Sequence, residues 1–295
     1  MRPATLFALA VAPLLIGAGV KWEATPPPRA AASLVVSPEW LAAHQGDPDL
    51  VILEVGEGAE YKNGHVPGAR PVNVMAFHNH GTGMPPAADL VRAVERLGIS
   101  NQSRIVLYGD IHGASIFWVM LEYLGMGDRT FQLDGGKFGW LAAGQKLTAE
   151  APTYLAGHFV PNLRPDIIVD AAWIEAHLKD PTLALVDARS PAEFAGTSHM
   201  SGEKPGHIPG ASNLDWEATL DRERRLLPID DLRALFARAG YAPGDQLVIY
   251  CTVGMRASHL YFVARSLGYK PFLYLGSMND WISNSGRPVA RGSAN

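Results

Sequence analysis

The chain contains two copies of one sequence unit. Residues 64–69 read GHVPGA, and residues 206–211, placed 142 positions later, read GHIPGA. The same offset places residues 104–108, RIVLY, on residues 246–250, QLVIY. Agreement of separate blocks in the same order indicates a tandem duplication. A duplicated unit of about 140 residues predicts two similar domains, since domains of roughly 100–150 residues are the most common size.

Each copy alternates short apolar strands with helical segments. In the second copy we predict strands over residues 184–188, 246–250 and 272–275, and helices over 230–239 and 257–267. Alternation of strands and helices is typical of a parallel sheet that is covered by helices on both faces. We therefore expect an α/β protein of two tandem domains, each with a mainly parallel sheet flanked by helices.

The duplication also sets the predicted boundaries. The N-terminal domain is predicted over residues 33–150 and the C-terminal domain over residues 167–295. The segment between them, residues 151–166, contains several prolines and a glycine and is predicted to be a linker. Residues 1–32 precede the first copy and end in a proline-rich spacer.

The first twenty residues have the composition of an export signal. They read MRPATLFALAVAPLLIGAGV, a single arginine followed by an apolar run. Such a run is typical of a secretory signal peptide, and it is only marginally long enough to span a membrane. The expected location is therefore extracytoplasmic, in the periplasm. An uncleaved N-terminal anchor, which would be the chain's only contact with a membrane, and a cytosolic start remain as alternatives.

The 295 residues include one cysteine, Cys251. One thiol cannot form an internal disulfide and cannot by itself build a thiolate metal site. No phosphate-binding loop, zinc-protease motif or serine-hydrolase elbow occurs, so we expect no cofactor and no metal. The formal charge of −4 excludes the broad basic surface of a nucleic-acid-binding protein. Cys251 is therefore either an inert buried thiol or a reactive one.

The position of Cys251 favours a reactive thiol. It follows the predicted strand 246–250 directly, at the strand end where open α/β sheets place their sites. The residues after it are Thr252, Val253, Gly254, Met255 and Arg256. Backbone N–H groups of such a loop and of the following helix converge on an anion, and they favour a thiolate. A thiolate here can attack an electrophilic sulfur and hold it as a persulfide.

The sequence resembles the rhodanese family of tandem two-domain sulfurtransferases over about residues 35–292. The resemblance rests on five segments, which read DARSPAEF at 187–194, GHIPGA at 206–211, YCTVGMRAS at 250–258, LGY at 267–269 and LGSMNDW at 275–281. It implies that Cys251 carries the transferred sulfur. Gly109 and Ala114 stand in the first copy where Cys251 and Arg256 stand in the second, so the first copy is expected to be inactive.

The resemblance also implies the reaction and its partners. The expected enzyme is a thiosulfate sulfurtransferase that takes sulfur from thiosulfate or a related donor and passes it to cyanide, to a thiol or to an exported protein. Arg256 is expected to bind the sulfonate oxygens of the donor, and its alternative role is to cap local carbonyls. Thr252, Val253, Gly254 and Met255 are expected to contact the substrate. We expect a monomer that does not bind nucleic acid.

Two further observations bear on the site. Glu193 stands about where two-domain members of the family often hold a substrate-binding arginine, which is a departure from the thiosulfate pattern. Asp187 and Arg189 are expected to form an ion pair that supports the loop from behind, and contact with substrate is the alternative.

Three other functions remain open at this stage. The first is a mercaptopyruvate sulfurtransferase, and the second is a sulfur carrier or binding module without turnover of its own. The third is a cysteine-dependent phosphatase of related fold. Such phosphatases space cysteine and arginine by five residues, whereas four residues separate Cys251 from Arg256. The shorter loop favours a single sulfur atom over a phosphate.

Overall fold

The structure is a computed structural model that describes most of the chain beyond the N-terminal segment. The described ranges are 34–76, 83–198, 205–242 and 244–292. The predicted export segment and spacer, residues 1–32, lie outside the described residues. Within those ranges, no helix combines the length and the apolar composition that a membrane crossing requires.

Each half of the chain forms one five-stranded sheet. The strands of the first sheet are β1 (Val35–Val36), β2 (Leu50–Val55), β3 (Arg70–Val72), β4 (Arg104–Gly109) and β5 (Thr130–Leu133). The strands of the second are β6 (Ile168–Val169), β7 (Leu183–Asp187), β8 (Ser212–Asn213), β9 (Gln246–Tyr250) and β10 (Phe272–Tyr274).

The two sheets have the same topology. Their strand orders are β1-β5-β4-β2-β3 and β6-β10-β9-β7-β8, and every pairing of neighbouring strands is parallel. The central strands β2, β4, β7 and β9 are buried along most of their length, because helices cover both faces of a parallel sheet. The prediction of two tandem α/β domains is confirmed.

Among the described residues, five α-helices accompany each sheet. Those of the first half are α1 (Pro38–His44), α2 (Ala59–Lys62), α3 (Ala87–Arg96), α4 (Ile111–Tyr123) and α5 (Gly136–Ala142). Those of the second half are α6 (Ala171–His177), α7 (Pro191–Ala195), α8 (Ile229–Arg238), α9 (Met255–Ser266) and α10 (Ser277–Ser283).

The predicted start of helix α9 was two residues too late. The sequence predicted a helix from residue 257 that follows Arg256, whereas α9 begins at Met255. Gly254, the residue before the helix, has a φ of 88° and turns the chain sharply into its first turn. Arg256 therefore lies in the first helical turn, and the loop itself comprises only Cys251–Gly254.

The two halves share one hydrophobic core across α4 and α9. Buried side chains of both helices, among them Trp118 and Phe262, belong to a single cluster that also includes the inner faces of both sheets. Two smaller clusters cover the outer faces, one for each half. Ring centroids of Trp118 and Phe262 are 5.3 Å apart at a steep interplanar angle of 73°, an edge-to-face contact that links the halves.

Contacts along α4 and α9 show that the two helices run parallel. Ser115 lies beside His259 near their N-terminal ends, with 3.4 Å between Oγ and Nδ1. Glu122 accepts a hydrogen bond of 3.1 Å from Arg265 near their C-terminal ends. Because both helices follow the central strands of their sheets, the parallel arrangement places the ends of β4 and β9 at the same side of the interface.

The predicted linker packs along the first half. The backbone N–H of Asn162 donates to the carbonyl of Leu124 at 3.1 Å, and that of Arg164 donates to Tyr123 at 2.8 Å. Phe159 is buried in the shared core. The segment is therefore an ordered connection that is held by backbone hydrogen bonds.

Candidate active site

Cys251 lies at the carboxyl end of β9, the central strand of the second sheet. The neighbouring strand β7 ends at the same level, because Asp187 is the register partner of Tyr250. The cysteine is 1% exposed. The structure thus places the thiol in the crevice beyond the strand ends, where open parallel sheets form their sites.

The loop wraps around the sulfur atom. The backbone N–H of Gly254 donates to Cys251 Sγ at 3.2 Å, which is the contact expected at the start of a helix whose first N–H groups lack partners. A Cβ at position 254 would lie 2.7 Å from the carbonyl oxygen of Leu275. Gly254 is therefore required both for its positive φ and for the close approach of the chain.

The start of α10 fixes the loop from below. The N–H of Met278 donates to the carbonyl of Cys251 at 3.1 Å, and the N–H of Asn279 donates to that of Thr252 at 3.0 Å. The N–H of Cys251 donates to Ser277 Oγ at 3.1 Å, and the same oxygen lies 4.0 Å from Sγ. These contacts hold the main chain of the cysteine in one position.

Ser277 is a residue of the site that was not predicted from the sequence, where it stands within the LGSMNDW segment. It is fully buried and has a φ of 55°, in the left-handed region that a serine rarely adopts. Gly136, which opens α5 at the corresponding place in the first half, has a φ of 53°. This pairing was the available signal, since a glycine in one copy marks a backbone conformation that the other copy shares.

Arg256 points its guanidinium at Glu193. Its Nη1 and Nη2 atoms donate to the two carboxylate oxygens of Glu193, each at 2.8 Å. Nη2 also donates to Thr252 Oγ1 at 2.8 Å. The structure therefore brings the predicted residues Arg256 and Thr252 together with Glu193. The carboxylate of Glu193 occupies the Nη1–Nη2 edge of the guanidinium, which is the edge that binds oxyanions.

Glu193 is held firmly in this position. Ser190 donates to Glu193 Oε2 from its N–H at 3.1 Å and from its hydroxyl at 2.7 Å, which together with the return bond forms a capping box at the start of α7. Burial alone would raise the pKa of Glu193, but the hydrogen bonds from Arg256 and Ser190 lower it to about 2. Burial acts to lower the pKa of Arg256, and the bond to Glu193 raises it above its ordinary value. Both groups are charged at neutral pH.

The predicted pair of Asp187 and Arg189 is buried behind the loop. Arg189 Nη2 donates to Asp187 Oδ2 at 2.6 Å and to the carbonyl of Gly206 at 2.7 Å. The two side chains are at most 2% exposed. The ion pair links the end of β7 to the GHIPGA turn. The hydroxyl of Tyr250 adds a second link to this turn, because it accepts a hydrogen bond from the N–H of Ile208 at 3.1 Å.

The remaining predicted residues line the surface of the loop. Val253 and Met255 are partly exposed. Met255 also borders a cavity of about 1140 Å³ that lies over the strand ends of the first half. Within the described part of the chain, no cluster of three metal-ligating side chains is present.

The first half lacks a loop at the equivalent place. Gly109 ends β4, and α4 begins at Ile111 after the single residue Asp110, which caps the helix by accepting the N–H of Gly113 at 2.6 Å. The buried Glu54 pairs with the half-buried Lys137 at 2.8 Å, in the place of the aspartate and arginine of the second half.

His259, in α9, does not reach the cysteine through any hydrogen bond. It is fully buried, and its Nε2 lies 2.8 Å from Thr219 Oγ1. Burial, with smaller effects of the charges on His112 and Arg224, lowers the pKa of His259 to about 3. The imidazole is therefore neutral at the domain interface.

Two tandem parallel-sheet domains, the second with a cysteine loop at a strand end, define the class of protein. It is a duplicated α/β protein with a candidate site in its second half. The chain belongs to the family of rhodanese-like domains, whose family model matches residues 37–143 and 170–284. The resemblance predicted from the sequence is confirmed.

Curated relatives match most of this chain and nearly the whole of their own length. A probable 3-mercaptopyruvate sulfurtransferase of Pseudomonas aeruginosa is 34% identical over 88% of this chain and 98% of its own. The sulfur carrier protein TtuD of Thermus thermophilus is 33% identical over 88% and 97%. A thiosulfate sulfurtransferase of Pseudomonas aeruginosa is 32% identical over 87% and 96%. These relatives support a sulfurtransferase function and represent both types of donor.

Solved structures agree with the fold. The 3-mercaptopyruvate sulfotransferase SseA of Escherichia coli superimposes with a TM-score of 0.74 and 26% identity, covering 83% of this chain and 99% of its own. The likeness extends over both domains of that protein. The tandem arrangement is therefore shared with a solved member of the family.

Proposed function

We propose that the protein moves a sulfane sulfur from thiosulfate or a related donor to a thiophilic acceptor, cyanide or a thiol, through a persulfide on Cys251. The observation that carries this proposal is the buried thiol at the start of α9, with the Gly254 N–H directed at Sγ. A helix N-terminus stabilises an anionic sulfur, both as the attacking thiolate and as the persulfide.

The charging step is a displacement at sulfur. The Cys251 thiolate attacks the outer sulfur of thiosulfate, the S–S bond of the donor breaks, and sulfite leaves with its electron pair. With 3-mercaptopyruvate, the C–S bond breaks instead, and the thiol proton ends on the carbon of pyruvate. In either case an acceptor then attacks the outer sulfur of the persulfide and regenerates the thiolate.

The loop supplies what this step requires from the protein. The hydrogen bonds to Ser277, Met278 and Asn279 fix the cysteine before the donor arrives, so little ordering remains for the reaction. The displacement at sulfur by the thiolate form of Cys251 itself involves no proton transfer. The neutral, interface-bound His259 is accordingly given no role in proton transfer.

The test is the mass of the intact protein after incubation with a donor. Wild-type protein should gain about 32 Da, one sulfur, and the gain should disappear on treatment with cyanide. Cys251→Ser should show no gain while its thermal melt stays close to wild type, because serine has nearly the same shape. A gain that persists in Cys251→Ser would place the sulfur elsewhere and contradict the proposal.

A second candidate, a sulfur carrier without independent turnover, is favoured by the similarity to TtuD. The two functions differ in the number of cycles. Repeated release of product with excess thiosulfate and cyanide supports the enzyme. One equivalent of sulfur that leaves only to a protein partner supports the carrier.

The location and the division of labour are also part of the proposal. The apolar segment 1–20 supports export to the periplasm or anchoring by an uncleaved N-terminus, and cell fractionation with N-terminal sequencing tests both. Gly109, at the position equivalent to Cys251, has no thiol, which supports a non-catalytic first half. The enzyme is proposed to be a monomer.

A further inference from the structure

Three of the five N–H donors of Arg256 are already engaged. Both terminal nitrogens of its guanidinium are bound by Glu193, and one of them also by Thr252. The side chains of Arg256 and Glu193 are 22% and 13% exposed, so the pair beside the loop is partly accessible from solvent. A donor that reaches the sulfur therefore meets a neutralised arginine.

A second carboxylate lies in the same region. Asp215, which caps the short helical turn Trp216–Thr219, interacts electrostatically with both Arg256 and Glu193. The Asp187–Arg189 pair behind the loop neutralises itself. Together with a Cys251 thiolate, these five groups carry a net negative charge, and the cations Arg224 and Arg225 line the neighbouring cavity that Met255 borders.

We infer that Glu193 is a specificity determinant that lowers the site's preference for dianionic donors such as thiosulfate, relative to donors with one negative charge such as 3-mercaptopyruvate. This inference rests on the proposed function. The physical reason is that a dianion must approach a thiolate beside a carboxylate, and Arg256 cannot offset that repulsion while it is paired.

The variant Glu193→Gln isolates the charge. Glutamine at this position of a capping box still reaches back to the Ser190 N–H, so α7 keeps its cap. Its amide oxygen can still accept one hydrogen bond from Arg256. The substitution therefore removes one negative charge at nearly constant side-chain volume. It places an NH2 donor against Arg256 Nη2, so one of the two hydrogen bonds to Arg256 is lost.

The experiment measures charging of Cys251 with thiosulfate and with 3-mercaptopyruvate. In Glu193→Gln, kcat/KM for thiosulfate should rise about tenfold, mainly through KM, and the value for 3-mercaptopyruvate should stay within about threefold. Glu217→Gln is the matched control, because Glu217 is an exposed carboxylate paired with Arg224 at 3.8 Å. It should change neither value by more than about twofold.

A salt titration of the wild type tests the same inference without a variant. As salt rises from about 0.02 M to about 0.3 M, screening should lower the thiosulfate KM, because repulsion weakens. A cationic site would show the opposite sign. A thiosulfate KM that rises with salt would overturn the inference. An unchanged kcat/KM for thiosulfate in Glu193→Gln, or an equal fall of kcat/KM for both donors in that variant, would also overturn it. Wild-type protein that gains no sulfur from any donor would overturn the proposed function as well.

Discussion

Ser277 holds an uncommon backbone conformation beside the Cys251 sulfur. A left-handed φ costs an ordinary L-residue about 1 kcal/mol relative to glycine. In the first half, Gly136 meets the same requirement without that cost. The second half instead keeps a serine whose hydroxyl binds the Cys251 N–H, so the strain is retained where the hydroxyl is useful.

We expect Ser277→Gly to separate stability from activity. The change relieves the strain but removes the hydroxyl, so the melting temperature should stay within a few degrees of wild type or rise. The rate of sulfur charging should fall about tenfold, the value of one hydrogen bond. Differential scanning calorimetry and single-turnover mass measurements check the two halves of this expectation.

Ser277→Ala serves as the matched variant, since it lacks the hydroxyl but keeps the strain. It should charge as slowly as Ser277→Gly and melt at a lower temperature. Wild-type charging by Ser277→Gly would contradict a positioning role for the hydroxyl.

At the level of single residues, the sequence predicted which side chains surround Cys251 but not how they pair. Cys251 follows a predicted strand, so its place at the sheet edge was derivable. Glu193 was noted as a departure, yet its bond to Arg256 joins positions 63 residues apart. Such a contact depends on how α7 and α9 are placed by the fold, and no local pattern encodes it.

Helices α4 and α9 bury His259 where no charge can be accommodated. The unfolded chain binds a proton at this residue below about pH 6.5, whereas the folded pKa is about 3. Between these values the unfolded state holds more protons. The free energy of unfolding therefore falls as the pH drops through this window.

We expect His259→Gln to reduce this acid sensitivity. Wild-type stability should fall by up to about 1.4 kcal/mol for each pH unit below 6.5 on account of this one residue, and the variant should lack that contribution. Urea unfolding at several pH values between 6.5 and 4.5 gives the slopes. His158→Gln is the control, because His158 is 88% exposed in its side chain. Equal slopes in wild type and His259→Gln would show that another group carries the effect.

Elements were predictable to the extent that their signals are local. The strand predicted over residues 246–250 has those same bounds in the structure, since a continuous apolar run is its own signal. The predicted start of α9 was wrong because the helix begins directly after Gly254. The positive φ of this glycine sets the boundary, and hydrophobic periodicity does not reveal it. The parallel contact of α4 with α9 was not predicted, because it joins the two halves.

We expect the two domains to fold as one cooperative unit, because the inner faces of their sheets share a core. Trp118 of the first half packs against Tyr261 and Phe262 of the second. Helix α9 is buried on nearly every side, which is the pattern of a helix inside a large protein. Separation of the halves would expose these rings to water.

We expect residues 167–295, expressed alone, to lose tight packing although they contain the entire cysteine loop. The exposed face of α9 should bind a hydrophobic dye and cause association, because large apolar patches are rarely tolerated on monomers. Size-exclusion chromatography and near-ultraviolet circular dichroism check this. Addition of residues 33–166 should restore both signals. A monomeric, well-packed C-terminal half would contradict the shared-core interpretation.

The early start of α4 limits what a single substitution could change in the first half. The residues that form an open loop after β9 are wound into helix after β4, and a Cβ at Gly109 would lie 2.2 Å from the carbonyl oxygen of Val55. A cysteine introduced there by point mutation would therefore meet both a steric conflict and a missing cradle. No single substitution at residue 109 would therefore give the first half a cysteine loop like that of the second.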